Sequence, residues 1–157
     1  MSDWVGLALT VLLLAANAFF VAAEFSLISA RRDRLEALEE DGFSRARTVI
    51  RASERLSVML AGAQLGITIC SILLGRIGEP AIAHLLGQPL QWASVPDSLL
   101  HPISFTVSLT LVVILHILLG EMVPKNIALA GPERSAMLLV PVHLMFVRLA
   151  RPVIAFY

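Results

Sequence analysis

The sequence predicts an all-α, polytopic membrane protein, and three observations lead to that fold class. Hydrophobic residues make up 57% of the chain, and the mean hydropathy is +0.82. Charged residues, 15% of the chain, fall in clusters that leave three long uncharged runs. These runs are continuous rather than alternating, which indicates helices and not the strands of an outer-membrane barrel. We therefore predict one domain over residues 1–157 with three transmembrane helices, a cytoplasmic helical hairpin and an interfacial juxtamembrane helix.

The first predicted span covers about residues 4–28. No charge occurs from Trp4 to Ala23, and twenty helical residues cross about 30 Å, the thickness of the hydrocarbon core. A signal peptide would have a basic segment before a shorter apolar run. We therefore expect this segment to be a retained span.

The second and third spans are predicted at about 56–76 and 99–121. The second is rich in small residues, and Gly62 and Gly66 stand four apart, the spacing that allows two helices to approach closely in lipid. The third ends in the sequence Gly120-Glu121, with Pro124 three residues further on. A glutamate at the end of such an apolar run requires an explanation.

Two segments outside the spans are also predicted to be helical. Residues 31–55 mix charges with recurring apolar residues and are broken at Asp41-Gly42, which predicts a hairpin. This hairpin is either a solvated linker or a docking surface for a regulatory domain. Residues 133–157 contain an uncharged stretch, Ser135 to Val147, which is short for a span and indicates a helix that lies on the membrane or re-enters it.

The orientation follows from the basic residues, which mark the cytoplasmic side. The segment between spans two and three contains only Arg76, whereas the segment between spans one and two contains seven arginines (Arg31, Arg32, Arg34, Arg45, Arg47, Arg51 and Arg55). We predict a plasma-membrane protein with its N-terminus outside and its C-terminus in the cytoplasm.

Polar side chains within the spans are the candidate functional residues, because their cost in lipid usually restricts them to sites and pathways. They are Asn17, Glu24 and Ser26 in the first span, Gln64, Thr68 and Ser71 in the second, and His116 and Glu121 in the third. Nearly all are oxygen donors, the ligands that magnesium prefers. A single cysteine and scattered histidines argue against zinc or copper.

Two of the carboxylates have alternative interpretations. Glu121 lies beside Gly120 and before Pro124, where helix geometry is interrupted and carbonyl groups are freed, so it could bind a cation; it could also pair with Lys125 at the aqueous boundary. Glu24 could be a ligand, or it could pair with Arg31 or Arg32.

Other classes of function fit less well. Twelve basic and twelve acidic residues balance, which argues against a nucleic-acid-binding protein. The four histidines show no spacing typical of a nucleophilic or metal site, so we do not expect an enzyme.

Three segments, in order, resemble the membrane domain of the CorC and CNNM family of magnesium transporters, which is also called hemolysin-related. They are NAFFVAAEFSLISARRDRLEAL at 17–38, AGAQLGITICSILLG at 61–75 and GEMVPKNIALAGPE at 120–133. The resemblance covers nearly the whole chain.

The resemblance implies a homodimer in the lipid bilayer that exports Mg²⁺, in exchange for Na⁺, through an oxygen-ligand site in each subunit. It places the metal ligands at Ser26, Gly66, Ser71 and Glu121. Residues that line the pathway or support the ligands would be Asn17, Glu24, Gln64, Thr68 and Gly120. It also implies that a cytoplasmic pair of CBS domains, which binds ATP, follows in the full-length protein.

The alternative function is a membrane anchor or magnesium sensor that couples a cytoplasmic regulatory domain to the bilayer without transport. The two functions differ in a testable way. An anchor would tolerate alanine at Ser71 and Glu121, whereas a transporter would lose ion binding.

Overall fold

The computed structural model describes residues 2–156, which form eight α-helices and one π-helical segment and contain no β-strand. The α-helices are α1 (Asp3–Ser29), α2 (Arg32–Glu40), α3 (Ser44–Ser53), α4 (Leu56–Trp92), α5 (Asp97–Leu115), α6 (Val123–Ala130), α7 (Pro132–Leu149) and α8 (Arg151–Ile154). The π-helical segment, His116–Met122, joins α5 to α6. The predicted all-α fold is confirmed.

Three helical stretches are long and apolar enough to cross a membrane: Asp3–Ser29, Leu56–Trp92 and Asp97–Ala130. This agrees with the predicted polytopic fold. Ser2 is the N-cap of the first of these helices, and its hydroxyl accepts a hydrogen bond from the Val5 amide. Ala30 is its C-cap, where the backbone becomes extended.

The second spanning helix extends well beyond the predicted end at residue 76. The whole of α4 is 37 residues long, which corresponds to about 55 Å. It includes Arg76, Glu79, Pro80 and Pro89. Sequence reasoning ended the span at the first charge because a charge ends an apolar run. The backbone continues as a helix beyond the uncharged run, and there Glu79 accepts a hydrogen bond from Ser108.

The third helical stretch changes its winding where the sequence places Gly120 and Pro124. Proline has no N–H, so the regular bond from residue 124 to the carbonyl of Gly120 cannot form. In the π-helical segment the Val123 amide donates to the Leu118 carbonyl, five residues back. The helix therefore continues to Ala130, nine residues past the predicted end of the span.

The hairpin of α2 and α3 is packed against α7 and is not merely a solvated linker. Leu35, Val49 and Ile50 are buried in one apolar cluster with Ala136 and Val140 of α7. Glu133, at the start of α7, accepts a hydrogen bond from the Arg31 amide at 3.1 Å and so fixes the start of the hairpin. We call this part of the molecule the inner core.

The predicted juxtamembrane helix, 133–157, is two helices in the structure. α7 ends at Leu149, and the short α8 follows it; Tyr157, the last residue of the prediction, lies outside the described residues. One face of α7 is buried, with Ala136, Val140, His143 and Val147 all at most 5% exposed. This spacing of three and four residues is typical of a helix that packs with a single face.

Candidate cation site

The best-connected polar group in the membrane-spanning part is formed where α1 meets the π-helical segment. Asn17 is fully buried, and its Nδ2 donates to the carbonyl of Gly120 at 2.8 Å. This carbonyl lacks its regular helical donor, because Pro124 has no N–H. The absence of a side chain at Gly120 allows the approach, since a Cβ there would lie 3.0 Å from Asn17 Nδ2 and 3.1 Å from the ring of His116.

His116 joins two predicted site residues to this group. Its Nε2 lies 3.2 Å from the hydroxyl oxygen of Ser71 on α4 and 3.8 Å from a carboxylate oxygen of Glu121. The tautomer decides which partner donates. We call Asn17, Ser71, His116, Gly120 and Glu121 the polar cluster.

The polar cluster contains an unused acceptor. Asn17 Oδ1 is buried and has no hydrogen-bond partner in the described part of the chain. Leaving a buried polar atom without a partner lowers the stability of the fold by about 1–3 kcal/mol. The arrangement therefore favours a cation or a hydrogen-bond donor that can bind this oxygen. The Glu121 side chain is 40% exposed, so a ligand can reach its carboxylate.

The donor set of the polar cluster favours a hard cation. Residues 2–156 contain no group of three or more His, Cys, Asp or Glu side chains placed to hold a metal ion. An amide oxygen, a hydroxyl, a backbone carbonyl and one carboxylate remain as donors. Magnesium takes oxygen ligands and usually keeps several of its waters, so it needs few protein donors.

Glu24 and Gln64 form a separate contact nearer the C-terminal end of α1 than the polar cluster. Gln64 Nε2 donates to Glu24 at 2.7 Å. Glu24 follows Asn17 by seven residues on α1, which places this contact about 10 Å along the helix axis. The alternative partners of Glu24 are occupied elsewhere, because Arg31 pairs with Asp33 and Arg32 pairs with Glu36 and Glu54.

The other predicted site residues lie apart from the polar cluster. Ser26 is fully buried and its hydroxyl donates to the Ala23 carbonyl of its own helix. It follows Asn17 by nine residues, about 13 Å along α1. Thr68 is exposed and bonds to the Gln64 carbonyl. The roles of Ser26 and Thr68 stay predictions.

Gly66 lies in close contact with α1. A Cβ at this position would lie 2.6 Å from the ring of Phe20. Gly62 is similar, since a Cβ there would lie 2.7 Å from Val147. The small residues of α4 therefore permit close contact with α1 and α7, as their spacing predicted; the role of Gly66 as a backbone ligand stays a prediction.

The suggested salt bridge between Glu121 and Lys125 is not formed. The Lys125 ammonium lies 4.6 Å from the centroid of the Phe25 ring. Within residues 2–156, the basic group near Glu121 is His116. This geometry removes the boundary ion pair as the explanation of Glu121.

Sequence reasoning counted His116 among the polar residues of the third span but gave it no role in the site, and it missed a second polar contact between α4 and α5. His116 was dismissed because it has no ligand partner in the sequence, although it stands five residues before Glu121. Ser108 donates to Glu79 at 3.2 Å, and the buried Ser104 hydroxyl has no partner among the described residues. Glu79 was overlooked because the predicted second span ended before it.

The chain matches the family model described as the Cyclin M transmembrane N-terminal domain (CNNM) over residues 8–157. It is similar to the Mycobacterium tuberculosis protein named Uncharacterized protein Rv1841c, with 67% identity over 149 residues, which is 95% of this chain and 42% of the relative. It is also similar to two Bacillus subtilis proteins, UPF0053 protein YhdT (39% identity, 95% of this chain, 32% of the relative) and UPF0053 protein YhdP (39%, 97% and 34%).

The chain spans less than half the length of these relatives. The match extends over almost all of the chain and includes all three segments from which the family was predicted. The predicted family is confirmed: the chain belongs to the Cyclin M transmembrane domain (CNNM) family, with the spanning helices of a multi-pass membrane protein.

Proposed function

We propose that this domain exports Mg²⁺ across the plasma membrane, in exchange for Na⁺, through one oxygen-ligand site in each subunit of a homodimer. The observation that carries the proposal is the polar cluster, in which the unpartnered Asn17 oxygen, the Ser71 hydroxyl and the Glu121 carboxylate lie around a glycine in membrane-spanning helices. Family membership supports the same function.

The polar cluster would supply part of the coordination, and retained waters would supply the rest. Asn17 Oδ1 and Glu121 would contact the ion. His116 would orient Ser71 and Glu121. Ser26 and Gly66, on the cytoplasmic side, would belong to the entry path, together with the contact between Glu24 and Gln64.

The wider assignments rest on the family and on sequence patterns. The N-terminus would lie outside and the C-terminus in the cytoplasm, where a CBS-domain pair that binds ATP would follow in the full-length protein. Gln64 and Thr68 are exposed polar residues of a spanning helix, and a partner subunit would shield them from lipid.

The direct test is Mg²⁺ binding and flux by the purified chain in proteoliposomes, comparing wild type with Glu121→Gln. We expect the variant to fold, as judged by circular dichroism, and to lose about 100-fold or more in Mg²⁺ affinity, because one carboxylate provides the only formal negative charge of the cluster. Glu40→Gln, an exposed carboxylate on α2, is the control.

The second candidate function is a membrane anchor or sensor for a regulatory domain. The inner core favours it, because α2, α3 and α7 form a packed platform that could receive such a domain. Normal Mg²⁺ binding and flux in Glu121→Gln would reject the transport site and leave the anchor as the better assignment.

A further inference from the structure

A pocket at the start of α4 combines four arginines with an apolar wall. Arg51 of α3, Arg55 before α4, Arg148 of α7 and Arg151 of α8 line a cavity of about 560 Å³. The apolar wall is formed by Val58 and Met59 of α4 with Leu144 and Val147 of α7. We call this cavity the arginine pocket; it shares no residue with the polar cluster.

The charges of the arginine pocket are not compensated by the protein. Within residues 2–156, none of the four arginines has a carboxylate within 4.0 Å, although Arg31, Arg32 and Arg47 in the neighbouring hairpin all do. Glu54 is the one carboxylate that lines the pocket, and its Oε1 lies 3.6 Å from Arg32. Four arginines against one carboxylate leave a net excess of three positive charges on the lining of the pocket.

The position of the arginine pocket relative to the bilayer identifies its occupant. α4 becomes free of charge at Leu56, directly after Arg55, and stays so to Gly75. The arginines therefore lie at the level of the lipid headgroups, and Val58 lies at the first level of the acyl chains. A pocket with guanidinium groups above and apolar side chains below matches a phospholipid, whose phosphate and acyl chain lie in that order.

Guanidinium groups bind phosphate oxygens in a bidentate manner, which makes arginine well suited to this task. A free phosphate would use the arginines but would leave Val58 and Leu144 without a partner. We propose that the arginine pocket is a binding site for an anionic phospholipid, with the headgroup phosphate on Arg51, Arg55, Arg148 and Arg151 and one acyl chain along Val58 and Leu144.

Such a lipid would connect parts of the chain that are distant in sequence. Arg55 lies at the junction of α3 and α4, whereas Arg148 and Arg151 lie at the junction of α7 and α8. A phosphate held by both junctions would stabilise the seating of α7 and α8 against α4. This site does not depend on the transport proposal, because it uses neither the polar cluster nor an ion gradient.

The test is lipid binding by the purified chain, measured by native mass spectrometry with anionic phosphatidylglycerol and, separately, with zwitterionic phosphatidylcholine. The variant is Arg55→Gln with Arg148→Gln. The matched control is Arg34→Gln with Arg45→Gln, two exposed hairpin arginines that lie outside this pocket and lose the same charge. All four substitutions are on exposed side chains, and circular dichroism with thermal melting checks folding.

We expect wild type and the control to retain phosphatidylglycerol in preference to phosphatidylcholine, and the pocket variant to bind phosphatidylglycerol about 10- to 30-fold more weakly. Equal losses in the control and the pocket variant would overturn the proposal, because they would indicate attraction to the overall charge. Unchanged binding in the pocket variant would also overturn it.

A second arm separates a lipid from a soluble anion. The thermal melting of the delipidated chain is measured in the presence of about 10 mM inorganic phosphate and, separately, of short-chain phosphatidylglycerol. Stabilisation by phosphatidylglycerol alone, lost in the pocket variant, supports the lipid site. Equal stabilisation by inorganic phosphate would overturn the lipid assignment in favour of a soluble phosphate ligand.

Discussion

The two halves of the helical bundle are packed very differently. We call the half that contains the inner core and the first part of α4 the inner half, and the half that contains α4 from Leu74 onward and the first part of α5 the outer half. In the inner half, the Cβ positions of Gly62 and Gly66 are blocked at 2.7 and 2.6 Å, and ten buried apolar residues form one cluster. In the outer half, a Cβ at Gly75 or Gly87 would meet nothing within 4 Å, and the buried apolar cluster comprises Leu14, Leu74 and Val112.

The outer half also contains a cavity of about 840 Å³ between α4 and α5, bordered by Glu79 and Ser104. The polar cluster lies between the two halves. The difference indicates that the inner half is the rigid base of the domain, whereas α4 and α5 border a cavity in the outer half and are joined there by the hydrogen bond from Ser108 to Glu79. A transported ion would thus be held at the edge of the rigid part.

Among the tests of this contrast between the halves, replacing Asn17 by leucine gives the largest expected effect, because this residue joins the two halves. The substitution removes the donor to the Gly120 carbonyl and the buried Oδ1 acceptor. Leaving the Gly120 carbonyl without this donor costs about 1–3 kcal/mol, which removal of the unpartnered Oδ1 offsets in part. We therefore expect a small change in stability and a fall in Mg²⁺ flux of at least about tenfold, the factor equivalent to 1.4 kcal/mol.

The control for Asn17→Leu is Thr10→Val on the outer half of α1. The Thr10 hydroxyl donates to the Gly6 carbonyl of its own helix at 2.8 Å, so its removal leaves no distant partner unpaired. Melting temperature and flux are measured for both variants. An equal effect of the two substitutions would contradict the special position of Asn17.

Alanine at Gly66 should be costly, whereas alanine at Gly75 in the same helix should not. The new methyl group at residue 66 would overlap the Phe20 ring, and overpacking of this kind costs about 1–3 kcal/mol. At residue 75 there is open space, and alanine is the better helix former by up to about 1 kcal/mol. Thermal melting in one detergent compares them; similar melting temperatures would refute the contrast between the halves.

Shortening a valine should cost more in the inner core than in the outer cluster. Val140 of α7 is fully buried in a cluster that joins α2 and α3 to Leu27 of α1 and Met59 of α4. Because α7 is not one of the three candidate spans, we expect Val140→Ala to lose apolar burial as well as packing, about 1–3 kcal/mol. Val112 lies in a spanning helix, where lipid replaces water and only packing is lost. Val112→Ala is therefore expected to shift the melting temperature less, and the reverse order would disprove this explanation.

The smallest expected effect is a pH dependence from His143. This residue is fully buried between Phe20 and Phe146, and its Nε2 contacts the Met59 carbonyl at 2.9 Å. Burial lowers the pKa of His143 below its ordinary value of 6.5, and the bond to Met59 opposes the shift in part. The neutral form is favoured in the folded state.

The contribution of His143 to stability is therefore complete above pH 6.5 and is lost as the pH falls through the lowered pKa. The melting temperatures are compared at about pH 7.5 and about pH 5.0, which bracket the ordinary histidine pKa of about 6.5. Between these two values, the melting temperature of wild type should fall by about 2–4 °C more than that of His143→Gln. Glutamine keeps an N–H for Met59 but does not titrate. Parallel pH profiles would exclude this role.

The fold could be predicted from the sequence because lipid enforces continuous apolar helices, and the three uncharged runs are unambiguous. The length of α4 could not, since Arg76 ends an apolar run without ending a helix. The π-helical segment was indicated only by Gly120 and Pro124, and its consequence, the bond from Asn17 to Gly120, joins residues 103 apart in sequence.

The candidate site was predicted in its residue types more than in its grouping. Ser71 and Glu121 were identified as polar residues in apolar surroundings, and the structure connects them through His116. Asn17 was placed in a supporting role because a sequence does not show that its Oδ1 is buried and unpaired. In the sequence, Arg51, Arg55, Arg148 and Arg151 indicated only the orientation of the chain. The packing of α3, α4, α7 and α8 brings them into one pocket.

The length of α4 has a consequence for the type of membrane in which the domain works. Its uncharged part, Leu56 to Gly75, spans about 30 Å, whereas the whole helix is about 55 Å long. Glu79 lies one turn beyond the uncharged part, near the outer headgroups. A thicker bilayer would draw Glu79 and Ser108 into hydrocarbon unless the helix became more upright, whereas a thinner one would favour tilt. The cavity between α4 and α5 is therefore expected to respond to bilayer thickness, so that lipid composition would influence access to the polar cluster through it.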